Sequence, residues 1–205
     1  MGRDEMDALR MSALSEIGNV GAGNASTALS SLLGGKLVDI SLTDAMWVPL
    51  TEVAEVLGGA DSFVYAVHFG VEGDLEGDVL FVLDERGAGT AASLMMGLLP
   101  ADVSSIGELE RSALMEMSNI ICGSYVSAIS TMTGLLVTIT PPDLIADMLG
   151  AILDTSLGRI GLLADELILL RTSIKVEEFD VKGTFLLLLD EERMAVLLRA
   201  LGLPL

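Results

Sequence analysis

Side chains that bind transition metals or form disulfides are almost absent from this sequence. Its 205 residues include one cysteine, Cys122, and one histidine, His68. A single cysteine cannot form an internal disulfide, which fits the reducing cytoplasm, and two such ligands are too few for a transition-metal site. We therefore expect a cytoplasmic protein with no metal or cofactor of its own. Because His68 lies in the alternating run from Phe63 to Phe69, we interpret it as a strand residue and not as a catalytic one.

Basic residues and long apolar segments are also scarce. Eleven Lys and Arg stand against 30 Asp and Glu, which gives a formal net charge of −19. Since the basic residues form no cluster, we expect no nucleic-acid binding; the charge serves solubility alone or suits a partner with a basic face. No apolar run approaches the roughly 20 residues of a membrane helix. The N-terminus is polar and acidic, unlike a secretory signal, so we expect no membrane insertion.

The sequence contains an internal repeat with a shift of about 100 residues. Three pairs of segments match in the same order along the chain: 12–19 with 112–119, 35–41 with 134–140, and 77–85 with 183–191. Such self-similarity predicts a tandem duplication. We expect one domain over residues 1–205, with a first repeat over 1–104 and a second over 105–205, because a duplicated unit does not easily bury its apolar face alone.

The repeat and the apolar periodicity predict an α+β fold with pseudo-twofold symmetry. Each half begins with a long helix, from about Glu5 to Leu33 and from about Ile106 to Met132, and each helix is followed by glycine. We place Leu9, Leu32 and Leu109 on the buried faces of these helices. Strands are expected at about 36–43, 62–71, 76–83, 135–140, 160–172 and 181–189, with hairpin turns at 72–73 and 178–182. The predicted architecture is a six-stranded sheet with two long helices packed on it.

A polar pattern occurs at the same place in both long helices. Ser12, Glu16 and Asn19 have the spacing i, i+4 and i+7, and the second copy repeats it with Ser112, Glu116 and Asn119. These positions share one helical face, so each Glu and Asn can reach a single small target. A structural alternative is that each Asn hydrogen-bonds a carbonyl across the helix pair.

Several small residues accompany the polar pattern, among them Gly18, Gly21 and Gly23. They either let a partner approach the helix backbone or allow close helix packing. The order G-x-x-G-x-G, with no preceding strand, does not fit a dinucleotide-binding loop, and there is no P-loop lysine. Neither an enclosed carboxylate pair for glycoside hydrolysis nor a G-x-S-x-G elbow for serine catalysis is present.

The full pattern, Asp or Ser-x3-Glu-x2-Asn-x22-Pro, resembles the signature of the CheC family, with CheX and FliY as relatives. The second copy has the proline at Pro142, whereas the first has Leu42 at that position. The resemblance implies a phosphatase that hydrolyses the aspartyl phosphate of the response regulator CheY, with CheD as a further partner.

On this resemblance, Glu16, Asn19, Glu116 and Asn119 are the expected catalytic residues. Each Asn would position the attacking water and each Glu would anchor a Lys of the regulator, while Mg²⁺ is expected on the phosphorylated regulator. We place CheD, without precision, near residues 140–165. The alternative is a non-catalytic, flagellar-switch-like adaptor that binds the regulator or CheD.

Overall fold

The computed structural model describes residues 3–99, 105–160 and 166–203, with side chains except at residues 3–7 and 157–160. Within these ranges the helices are α1 Arg3–Leu32, α2 Val53–Val56, α3 Glu85–Met95, α4 Glu108–Thr133, α5 Leu149–Ile160 and α6 Glu191–Ala200. The strands are β1 Val38–Pro49, β2 Phe63–Gly73, β3 Gly77–Asp84, β4 Val137–Ile139, β5 Asp143–Met148, β6 Glu166–Val176 and β7 Phe179–Leu189. A 3-10 turn, Leu50–Glu52, precedes α2.

Local sequence signals fix the ends of the helices. α1 is followed by Gly34 and Gly35, and α4 by Gly134; all three have positive φ, which glycine adopts without steric cost. α3 and α6 begin after Asp84 and Asp190, whose carboxylates accept hydrogen bonds from the backbone N–H three residues on. These features mark corresponding helices in the two halves.

The strands form one antiparallel sheet in the order β1-β6-β7-β3-β2-β4. β5 also pairs with β2, and residues 140–142 separate it from β4. β4 and β5 therefore share one edge position, and the sheet is six strands wide. Together with α1 and α4 packed on one face, this sheet confirms the predicted α+β fold.

The sheet interleaves the two halves of the chain. β1 of the first half pairs with β6 of the second, and β4 and β5 of the second half pair with β2 of the first. If each strand is replaced by its counterpart in the other half (β1 by β4 and β5, β2 by β6, β3 by β7), the same strand order is obtained from the opposite edge of the sheet. The duplication and the division after residue 104, which lies outside the described ranges, remain predictions.

Some strand boundaries differ from those predicted. β1 continues past residue 43 to Pro49, through a register shift between Leu42 and Asp44 that interrupts the polar–apolar alternation. β5 follows two prolines and was not predicted. Residue 160, where a strand was expected to begin, ends α5; residues 161–165 lie outside the described ranges.

The first predicted hairpin turn lies within its observed loop, whereas the second is displaced from its predicted position. The last β2–β3 pair joins Val71 to Gly77, so the first hairpin loop spans residues 72–76 and includes the predicted turn at 72–73, where β2 pairs with β4 instead. The second turn consists of Glu177 and Glu178, since Val176 is paired with Phe179. Glu177 has a φ of 56°, a conformation that Gly or Asn usually adopts in such turns. Because both turn residues are glutamates, the sequence does not indicate the turn at this position.

Each face of the sheet has its own apolar core. Buried residues of α1, α3, α4 and α6 pack on one face, and those of α2 and α5 on the other. The buried stripe of α1 is Leu14, Ile17, Ala22, Ala25 and Leu29. The prediction that Leu9, Leu32 and Leu109 are buried is wrong, since all three are exposed. In the described ranges, no helix has the length and apolar composition needed to cross a membrane.

Candidate functional site

Helix α1 presents its polar pattern on the side opposite its buried stripe. Ser12, Glu16 and Asn19 are exposed, while Leu14 and Ile17 between them are buried. Gly23 continues the exposed stripe one turn beyond Asn19. The Glu16 and Asn19 side chains therefore project from one accessible face within a single helical turn.

Helix α4 repeats this arrangement. Ser112, Glu116 and Asn119 are exposed, and Met117 and Ser118 between them are buried. The two Glu–Asn pairs thus occupy separate helices, and each helix brings its own Glu and Asn together. Both amides are exposed at the surface.

The four site side chains are not engaged within the described part of the chain. No hydrogen bond from Asn19 or Asn119 to another part of these ranges is formed, so the structure does not contain the cross-helix bond considered as an alternative. Nor does Glu16 or Glu116 form an ion pair there. Each carboxylate is therefore free to bind a cation from a partner.

Close packing accounts for two of the three glycines. A Cβ at Gly21 would lie 2.3 Å from Cδ1 and 2.9 Å from Cα of Tyr125, so α1 and α4 meet at this point. A Cβ at Gly18 would lie 2.8 Å from the Leu42 side chain on β1. Apart from its own helix, no part of the described chain lies within 4 Å of the Cβ position at Gly23, so close approach of a partner remains a prediction for that glycine alone.

The two halves differ beneath their asparagines. Gly18 of α1 is covered by Leu42, the residue at the proline position of the family signature. The corresponding residues in the second half are Ser118 and Pro142. Ser118 is fully buried, and its hydroxyl has no hydrogen-bond partner in the described chain.

The remaining titratable candidates do not lie on the exposed helical faces that carry these pairs. His68 Nε2 is hydrogen-bonded to Asp78 at 2.5 Å. Val67 and Phe69 pack on the face of the sheet that is covered by α1 and α4, so strand alternation places His68 on the other face. Cys122 is fully buried, and burial raises the pKa of its thiol well above the usual value. Among the described residues, no group of three or more His, Cys, Asp or Glu is arranged to hold a metal ion.

The sequence interpretation missed two exposed leucines on the same helical faces. Leu9 and Leu109 precede Glu16 and Glu116 by seven residues each, and both are exposed. Seven residues are almost two full helical turns, so the spacing alone places each Leu above its Glu. That signal was available, but residue type suggested the core.

Comparison with known proteins gives consistent results. The sequence model of the CheC-like family matches residues 9–41 and 109–146, which contain both Glu–Asn pairs. The CheY-P phosphatase CheC of Bacillus subtilis is 30% identical over 203 residues, a match that covers 97% of this chain and 94% of the relative. The flagellar motor switch phosphatase FliY of B. subtilis is 30% identical over 140 residues, covering 68% of this chain and 36% of that protein.

The crystal structure of FliY from Thermotoga maritima has the same fold. It superposes with a TM-score of 0.74 at 22% identity and covers 98% of both chains.

Proposed function

This chain belongs to the CheC-like family, and on that premise we propose that it dephosphorylates the aspartyl phosphate of the response regulator CheY. Support comes from a relative that matches almost the whole chain and is a CheY-P phosphatase. The observation that carries the proposal is the exposed Glu–Asn pair on both long helices. Such a pair has access to a protein-sized substrate that an enclosed pocket could not admit.

The asparagines position water in this proposal. Asn19 and Asn119 are exposed, and a carboxamide both donates and accepts hydrogen bonds. Being neutral, it holds a water in line with the phosphorus without adding negative charge beside the phosphoryl group. The water oxygen bonds to phosphorus and the bond from phosphorus to the aspartyl oxygen breaks, releasing inorganic phosphate and restoring the carboxylate.

The glutamates anchor the regulator. Glu16 and Glu116 form no ion pair in the described chain, so each can accept hydrogen bonds from a Lys of CheY. Because Glu and Asn lie three residues apart, fixing the Lys on Glu also fixes how the amide approaches the phosphoryl group. Loss of the Glu should therefore weaken both binding and turnover.

The metal ion belongs to the substrate in this proposal. Phosphoryl transfer uses Mg²⁺ to neutralise charge on the phosphoryl oxygens, and we place that ion on the phosphorylated regulator. The chain's own residues then supply orientation alone. CheD as a second partner rests on the family resemblance, and we attach no surface to it beyond the predicted region near residues 140–165.

The test follows the decay of phosphorylated CheY with wild-type protein and with the double variant Asn19→Ala, Asn119→Ala. We expect wild type to accelerate decay and the double variant to lose that acceleration while still binding the regulator. Asn24→Ala is the matched control, because Asn24 is exposed on α1 but points about 140° away from Asn19.

Two results would contradict the proposal. Wild-type protein that binds CheY without accelerating decay would favour the adaptor function. Full activity in the double variant would refute the role given to the two asparagines. Circular dichroism on each variant separates loss of chemistry from loss of fold.

A further inference from the structure

Two large apolar side chains lie in the polar stripes that carry the Glu–Asn pairs. Leu9 is 45% exposed and Leu109 is 71% exposed. Each precedes its Glu by seven residues, and seven residues on an α-helix return to within about 20° of the same direction. Leu9 therefore shares a face with Glu16, and Leu109 shares a face with Glu116.

We propose that Leu9 and Leu109 are apolar docking contacts for the phosphorylated response regulator, one at each site. This inference rests on the proposed function and adds to it residues that set the affinity for the substrate without taking part in the chemistry. Each leucine would be covered by the same CheY molecule that receives the Glu and Asn of its helix.

The size of protein interfaces supports this occupant. A standard interface buries about 800 Å² on each partner, which corresponds to a disc of roughly 16 Å radius. At 1.5 Å per residue, Leu9 lies about 13 Å along the helix from the midpoint between Glu16 and Asn19. A regulator centred on the pair therefore covers Leu9, and the same spacing holds for Leu109 in α4.

Position, and not recurrence alone, distinguishes these leucines. Other exposed apolar residues also recur in both halves, such as Leu32 with Met132 and Leu37 with Leu136. Leu32 lies about 22 Å along α1 from the centre of the Glu–Asn pair and points to the opposite side of the helix. It falls outside a disc of interface size, so the docked regulator does not reach it.

The charges around Leu109 match the partner that Glu116 requires. Glu108 and Glu110 flank this leucine at the start of α4, and Glu108 is exposed. Acidic side chains beside an exposed apolar one suit a partner surface that presents basic groups beside apolar ones, because opposite charges on the two surfaces favour their association. The anchoring role of Glu116 requires the same feature, a Lys on the surface of CheY that faces α4.

The test compares two double variants in steady-state dephosphorylation of CheY. Leu9→Ala with Leu109→Ala should raise KM about tenfold and leave kcat unchanged, since a contact made equally in the bound state and the transition state affects binding alone. Leu32→Ala with Met132→Ala is the matched control, because those side chains are 49% and 36% exposed but lie at corresponding positions about 22 Å along each helix from the centre of its Glu–Asn pair. The control should keep the wild-type KM.

The outcomes separate this inference from the proposed function. Active wild-type protein with the same KM in both double variants would overturn the docking role and leave the phosphatase intact. A similar rise in KM for both variants would also overturn it, as a non-specific effect. If wild type fails to accelerate decay, the proposed function falls; the affinity of each variant for CheY then tests docking alone. Equal thermal melts exclude misfolding as the cause of a raised KM.

Discussion

Gly21 and Gly23 lie two residues apart in α1, and replacing each with alanine should change stability in opposite directions. At Gly23 the added methyl group meets no described residue outside its own helix within 4 Å. Alanine is then favoured by its helix propensity alone, which is worth about 1 kcal/mol over glycine. For a chain of this length, the melting temperature should rise by about 2–4 °C.

At Gly21 the same methyl group meets a packed neighbour. Its Cβ would lie 2.3 Å from Cδ1 and 2.9 Å from Cα of Tyr125. Since one of these atoms is backbone, a change of rotamer cannot relieve the contact, and α1 and α4 must separate. Overpacking of this kind costs up to about 3 kcal/mol. After subtraction of about 1 kcal/mol for helix propensity, the net loss is about 2 kcal/mol, or about 4–8 °C.

Differential scanning calorimetry on wild type and the two single variants measures both effects. Each variant is the control for the other, because the chemical change is identical and the positions share one helix. If Gly21→Ala melts at or above the wild-type temperature, α1 and α4 are not in close contact at Gly21 and Tyr125. A large loss of stability in Gly23→Ala would mean that this position is covered.

Three further predictions concern buried groups. Tyr125 OH hydrogen-bonds Thr172 Oγ1 at 2.9 Å, so Tyr125→Phe, which leaves the buried Thr172 hydroxyl unpaired, should destabilise the protein by about 1–2 kcal/mol in denaturant titrations. Burial raises the pKa of Tyr125 from 10.0 to about 12, so the folded state favours the neutral phenol. The stability that this preference contributes is complete below pH 10 and is lost between pH 10 and about 12. Because phenylalanine has no phenol to titrate, the unfolding free energy of Tyr125→Phe should fall less than that of wild type between pH 10 and about 12. Because burial raises the pKa of the Cys122 thiol, a thiol reagent at pH 8 should label Cys122 only after unfolding; rapid labelling of native protein would contradict its burial. Ser118→Ala removes a buried hydroxyl that has no partner among the described residues, and it should raise the melting temperature by about 2–4 °C. A lower melting temperature would show that the hydroxyl makes a stabilising bond.

The sequence was sufficient for the fold and for the exposed pairs because both depend on local pattern and repetition. Helical spacing puts Glu16 and Asn19 on one face whatever surrounds them, and the repeat at Glu116 and Asn119 distinguishes that face from an ordinary polar surface. Glycines after α1 and α4 likewise stop a helix by their own backbone freedom. These features need no knowledge of distant neighbours.

The missed features depend on residues far apart in the chain. Whether Gly21 serves packing or access is decided by Tyr125, more than 100 residues away, and Gly18 is explained by Leu42 on the edge strand. Pairing with β6 extends β1 beyond its apolar run, and pairing with β2 forms β5 after two prolines. Leu9 was missed for a different reason. Its apolar character predicts a core position, although its spacing of seven residues from Glu16 places it on the polar face of α1.

The interleaved sheet determines how the two sites can be compared. In the described sheet, β1 pairs with β6 of the other half, and β2 pairs with β4 and β5 across the same division. An isolated half would lose these partners and expose unpaired strand edges, so truncation cannot yield one intact site. Single replacements of Asn19 or Asn119 in the whole chain avoid this problem, because both side chains are exposed and neither forms a hydrogen bond within the described ranges. We expect a difference in kcat between the two variants to reflect the residues beside each amide, Gly18 with Leu42 in one half and Ser118 with Pro142 in the other. A difference in KM would also reflect the unequal exposure of Leu9 and Leu109.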